Sequence, residues 1–169
     1  MMNKKIIGLT VCALLFLQPF SLMAEEMKSR GKILKFSGDV EVINAEGETR
    51  TVKAVDETLN EMDTIVTKKN ARIVVQYNDG ALSVLDEKSR LRVEKTNWFS
   101  YFGGKVYFTF KRVFGESRHV KIRAATIGVR GTTFIISENG EQESESVALK
   151  EGLLDIESNG PVFEDRKST

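Results

Sequence analysis

Apolar and polar positions alternate in short runs along most of this chain. Val40 and Val42 flank Glu41, and Ile73-Val74-Val75 with Tyr77 forms a β-branched run. Leu82 and Val84, then Leu91 and Val93, repeat the alternation. Val106, Phe108 and Phe110 share one side of a further run, followed by the short pair Val120 and Ile122. Phe134-Ile135-Ile136 reads as a buried strand, and Val147, Leu149, Leu154 and Ile156 close the series. A period of two predicts strands, and no long stretch holds the i, i+3, i+4 spacing of a helix. Turn residues separate the runs: Gly38-Asp39, Glu46-Gly47, Asn78-Asp79-Gly80, Gly103-Gly104, Asn139-Gly140 and Asn159-Gly160. Asp-Gly and Asn-Gly accept the positive φ that tight hairpins require, so Tyr77 to Leu82 is the clearest hairpin. The pattern predicts an all-β fold of stacked short hairpins, β-solenoid-like or a twisted sandwich. Thr96 to Phe102 breaks the alternation and is compatible with a loop or a short helix.

The start of the chain follows another rule. Lys4 and Lys5 precede the mostly apolar run Ile6 to Leu17, and Leu22-Met23-Ala24 offers a small residue before Glu25-Glu26. That order predicts a secretory signal peptide over residues 1–24. The run is too short to span a bilayer, and Gln18 and Pro19 interrupt it. Residues 25–30 read as a leader, 31–158 as one β domain and 159–169 as a C-terminal tail. The expected location is periplasmic or secreted, with membrane contact only through the signal peptide.

Composition narrows the chemistry. The 25 Lys and Arg nearly balance 24 Asp and Glu, which argues against a nucleic-acid binder. Lys105, Lys111, Arg112, Arg118, Lys121, Arg123 and Arg130 make 105–130 basic, and Glu138, Glu141, Glu143 and Glu145 follow. These read as two solvated surfaces of opposite sign. Cys12, the only cysteine, lies in the expected signal peptide, and Val11 before it does not suit lipidation. With His119 as the only histidine, thiol, zinc and His-dependent nucleophilic chemistry are disfavoured. Neither a metal nor another cofactor is expected, nor is catalysis.

Some residues stand out against this background. Trp98, Phe99, Tyr101 and Phe102 cluster in the irregular segment. They read either as a cap on the core or as a partner-binding surface, with Arg112, Arg118 and Arg123 as a basic rim. Asp79 and Gly80 read as turn residues. Arg130, between Gly128 and Gly131 and before Thr132, reads as a packing corner that ties strands through carbonyls or a carboxylate.

Taken in order, these pieces resemble the FecR protein domain. Gly31 to Val42 resembles its opening strand pair, and Met62-Asp63-Thr64-Ile65-Val66-Thr67 its GD-x-I-x-T segment, with Met where the family has Gly. Ala71 to Asp86 resembles the hairpin around DGS, with Ala81 for Ser. Gly104 to Phe108 is similar to GkvyF. Gly128-Val129-Arg130-Gly131-Thr132-Thr133-Phe134 resembles the VRGT-x-F motif, and Val147 to Ile156 the closing hairpin around Glu151-Gly152. The resemblance covers roughly residues 31–157. It implies that Asp79, Gly80, Gly128, Arg130, Gly131, Thr132 and Phe134 are family-motif positions of mainly structural weight. Full sigma-factor regulators of the family add a cytoplasmic segment, a membrane helix and a receptor-contacting C-terminal domain, which this sequence does not display. The resemblance therefore implies the fold and the compartment and does not carry over direct sigma-factor control.

Two functions follow as expectations. One is a protein-binding regulatory or scaffold module with an unidentified envelope partner, docked by strand addition or on the aromatics. The other is a domain that binds cell-wall glycan or another surface polymer.

Overall fold

A computed structural model of the chain describes residues 28–95, 98–112, 117–139 and 144–160. The expected signal peptide, most of the leader, the Asn139-Gly140 turn beyond Asn139 and the tail from Pro161 lie outside the described residues. Every element is a strand: β1 (Ser29–Ser37), β2 (Val40–Ile43), β3 (Thr49–Thr51), β4 (Thr58–Asn60), β5 (Thr64–Thr67), β6 (Arg72–Tyr77) and β7 (Leu82–Leu85) come first. They are followed by β8 (Arg90–Val93), β9 (Trp98–Gly103), β10 (Lys105–Thr109), β11 (Arg118–Lys121), β12 (Ala125–Asn139) and β13 (Ser144–Ser158). The all-β expectation holds.

All thirteen strands join one curled sheet with two arms. One arm runs β3-β2-β5-β8-β9-β11, the other β10-β7-β6-β1-β4. The arms meet on β12. Thr126 to Val129 of β12 pair with β11, and Thr133 to Ser137 pair with β10. Because β13 pairs along the whole of β12, β11 and β10 must share its opposite edge end to end. Every pair is antiparallel except β9–β11.

The core lies between the arms. Phe99 of β9 meets Tyr77 edge-on at 4.8 Å and tilts onto Phe108 and Phe110 at 5.9 and 5.7 Å. Phe108 stacks on Phe134 at 5.2 Å. These rings join β9 to β6, β10 and β12, so one aromatic cluster ties both arms. Thr96 and Asn97 lie outside the described residues, and from Trp98 on the segment expected as a loop or short helix is strand β9. Its run of adjacent aromatics hides the period of two, and pairing on both sides with β8 and β11 extends it.

Corners where the chain passes between arms are held by buried hydroxyls. Thr67 Oγ1 donates to the Asp86 carbonyl at 2.6 Å and accepts from the Ser89 N–H at 2.9 Å. Ser89 Oγ in turn accepts from the Lys105 N–H at 2.8 Å. The result is a strongly curled, half-barrel sheet.

Candidate partner-binding edge

The four aromatics expected as one surface are dispersed by the strand. Alternation along β9 sends Phe99 and Tyr101 into the core. The Tyr101 hydroxyl donates to the Gly104 carbonyl at 2.7 Å, and burial pushes its pKa, like that of Tyr77, above the ordinary phenol range. Phe99 and Tyr101 are thereby turned away from the surface. Trp98 is half-buried, stacked on His119 at 4.3 Å with Lys121 Nζ 4.9 Å from its ring centre. Phe102 alone is broadly exposed, at 48%, with the Arg90 and Arg92 guanidinium groups over its ring.

The motif positions build the framework. Asp79 Oδ1 accepts from the Ala81 N–H at 2.9 Å, closing the β6–β7 turn with Gly80 at φ 78. Its Oδ2 accepts from Arg118 Nε at 2.6 Å, and Arg118, only 1% exposed, also donates to the Lys111 carbonyl. This ion pair ties β11 of one arm to the β6–β7 turn of the other. Sequence reading placed Arg118 only in a basic rim; a lone arginine before a short strand gives no sign of burial. Arg130, in contrast, is exposed on β12, and the burial at this corner falls to Thr132 and Phe134. Gly128 lies opposite Asp155 in the β12–β13 pair.

β12 and β13 bend together in the middle of this motif. Arg123, before β12, donates to Glu138 Oε1 at 2.8 Å, and its N–H donates to Glu145 Oε1 at 3.0 Å. A straight strand of that length would hold these ends roughly 45 Å apart, so the ribbon folds sharply back. The basic and acidic stretches consequently meet here instead of forming separate surfaces. The bend lies at Gly131 (φ 62) and Gly152 (φ 95), where the register shifts. A Cβ on Gly152 would stand 2.5 Å from the Gly131 carbonyl oxygen, so only glycine lets the two bends nest. Thr132 Oγ1 locks the pair by donating to the Leu153 carbonyl at 2.8 Å.

Beyond this ribbon lies an open edge. Among the described residues β13 pairs only with β12, leaving its outer edge without a strand. Val147, Leu149, Leu154 and Ile156 lie opposite Ile136, Phe134, Val129 and Ile127, all core residues, so they share the inward face. Val147 and Leu154 pack partly against the core, while Leu149 is 50% and Ile156 54% exposed. Leu153, on the other face, is 70% exposed. The sheet's other ends are the three-residue β3 and β4, and short edges resist strand addition. The resemblance gives Val147 to Ile156 as a closing hairpin around Glu151-Gly152, whereas the structure runs them as one strand, β13, bent at that point. Alternation puts Val147 with Leu149 and Leu154 with Ile156, but only the register shift brings the two pairs to one face, and only topology shows that among the described residues no strand lies beyond them.

Other features are minor. A shallow depression of about 270 Å³ beside β13 is lined by residues including His119, Arg130 and Asp155. Among the described residues no cluster of His, Cys, Asp or Glu is arranged to hold a metal, and no helix is long and apolar enough to cross a membrane.

The family model described as FecR protein matches residues 63–154. Two crystal structures of a candidate anti-sigma factor from Parabacteroides distasonis ATCC 8503 align with this chain at a TM-score of 0.52 and 21% identity. Each alignment covers 59% of this chain and 49% of the other, so the chain spans about half the length of those structures. At that identity the likeness shows the fold. No curated protein matches.

Proposed function

The chain belongs to the FecR protein family, and on that premise we propose that it is a non-catalytic regulatory or scaffold module of the cell envelope that works by binding protein. The observation that carries this reading is the outer edge of β13, a long strand paired on one side by β12 and, among the described residues, by no strand on the other, with half-exposed Leu149 and Ile156 on its inward face. Unpaired N–H and C=O groups on such a strand accept an added strand, and alternate apolar positions supply selectivity. The description of the structural neighbours as anti-sigma factors points in the same regulatory direction. Residues 1–24 act as an export signal in this reading, placing the domain in the periplasm or outside the cell.

Phe102, with its flanking arginines, is a secondary contact. The polymer-binding alternative lacks comparable support, because the Trp98 ring is already covered by His119 and Lys121 and offers no free stacking platform.

The test is site-specific photo-crosslinking in the producing cell. A photoreactive residue at Leu153 is expected to yield a discrete protein adduct, identified by mass spectrometry. The same group at Val55, 52% exposed but outside any strand, is expected to yield none. Absence of any protein adduct from Leu153 would overturn the reading.

A further inference from the structure

We propose that the partner at this edge is a second copy of the chain, with the two β13 strands paired antiparallel about a two-fold axis between Glu151 and Gly152. This rests on the protein-binding reading of the edge and names its occupant.

The pattern of inward apolar residues is the first argument. Val147 and Leu149 stand as far before the Glu151–Gly152 junction as Ile156 and Leu154 stand after it. Two-fold pairing about that junction therefore sets Val147 opposite Ile156 of the second copy and Leu149 opposite Leu154, with each pair repeated by symmetry. Residues opposite each other must share a face, and in a regular strand positions 149 and 154 would not. Here they do, because the register shift at the bend exchanges the faces between them.

The bend is the second argument. A strand added to β13 must fold back where β13 does, as β12 already does at Gly131. A two-fold axis normal to the sheet at Glu151–Gly152 lays bend upon bend and keeps both inward faces on one side. The open ends of the two curled sheets then join, and the exposed halves of Leu149 and Ile156 are covered. An unrelated straight strand could follow only half of the edge.

Charge is the third. In this register Ser146 faces Glu157 of the second copy and Glu145 faces Ser158. Lys150 lies beside Leu153 and diagonal to Asp155 of the second copy, within reach of an ion pair. No like charges stand opposite. Parallel in-register pairing would instead set Glu145, Lys150, Glu151, Asp155 and Glu157 each against itself. An isologous two-fold contact is also the commonest form of self-association.

Sedimentation of the full chain carrying Cys12→Ser is expected to give twice the chain mass. Leu149→Lys with Ile156→Lys is expected to halve that mass while leaving the circular dichroism spectrum unchanged, since both sites are half-exposed. For the register, Leu149→Cys and Leu154→Cys variants mixed under mild oxidation are expected to form a disulfide-linked pair, and neither variant alone should do so. A monomer at every concentration overturns the dimer. So does crosslinking of Leu149→Cys to itself, or a dimer that appears only when residues 161–169 are removed, which would make the tail the occupant. The outcomes also separate the two readings. A Leu153 photo-adduct with a different protein alone removes the dimer and leaves the protein-binding function standing. No adduct of either kind removes both.

Discussion

Met62 adopts φ 68 in the turn between β4 and β5, a left-handed conformation that costs a side chain about 1–2 kcal/mol. Met62→Gly is therefore expected to raise stability by up to about 1 kcal/mol in urea unfolding, the gain reduced by glycine's greater freedom when unfolded. The turn forms with Met because its neighbours hold it: the Met62 N–H donates to the Val93 carbonyl, and Asp63 Oδ2 accepts from the Asn60 N–H. Asp79 is the opposite case, a residue whose obvious turn role conceals another. Asp79→Asn keeps an acceptor for the Ala81 N–H but takes the carboxylate away from the buried Arg118 guanidinium. The expected loss is about 3 kcal/mol, well above that for Arg72→Gln at the exposed Arg72–Asp86 pair. Two carboxylates give opposite pH responses. Partial burial pushes Glu57 up, but the N–H groups of Lys53 and Ala54 and the Arg50 guanidinium outweigh it, so its pKa lies below the ordinary value. Its contribution is full above the ordinary glutamate value and is lost as pH falls through the folded value. Burial raises Asp63 more than its hydrogen bond from Asn60 lowers it. Its charge therefore costs stability as pH rises from the ordinary aspartate value to the folded one. Relative to the native chain, Glu57→Gln should flatten the acid limb of a stability–pH curve, and Asp63→Asn should steepen it.

At the scale of the element, the bent β12–β13 ribbon depends on two nested glycines. Gly47 provides a control for Gly152, because both have φ near +90° and only Gly152 has a close neighbour. Gly47→Ala is expected to cost about 1 kcal/mol through backbone conformation alone. Gly152→Ala adds the contact with the Gly131 carbonyl, so its thermal midpoint should fall clearly further. Equal losses would mean that the bend relaxes and that the two glycines do not lock each other. Strand β9 makes a related point. Phe99, Tyr101 and Gly103 face the core and Phe102 is exposed, while Ser100 on the other face is also buried and hydrogen-bonded to Glu94, so neither the burial nor the run of aromatic residues shows a clean period of two.

For the whole molecule, one core is shared by two arms whose strand ladders join through β12. Phe99 reaches that core from one arm and packs on rings from the other. Phe99→Ala should cost about 3–5 kcal/mol, and it should do so in a single unfolding transition seen alike by fluorescence and circular dichroism. Separate transitions would mean that the arms are independent. Among the described residues the edge of β13 is the one long exposed border, and its behaviour is collective. Amide exchange along Val147 to Ile156 is expected to slow as protein concentration rises, while exchange in β6 stays constant, because only the former is covered by association.

The sequence by itself determined most of the strands, though not β3, β4 or β9, together with most of the turns and the corner motif from Gly128 to Phe134. Alternation and turn chemistry are local, and each carries its own record in the residue types. It also determined that Val147, Leu149, Leu154 and Ile156 belong to strand positions. Which side of each strand faces inward was less legible: Leu82 and Val84 form the apolar alternation of β7, yet Ser83 and Leu85 are buried, because the Ser83 hydroxyl meets the Tyr77 hydroxyl at 2.8 Å in the core. Only the tertiary structure decided that Arg118 is sealed against Asp79, that Phe99 and Tyr101 turn inward, and that β13 ends the sheet. Each of these depends on segments distant in sequence coming together, and burial and exposure at a sheet edge are properties of that assembly, which no single run of residues contains.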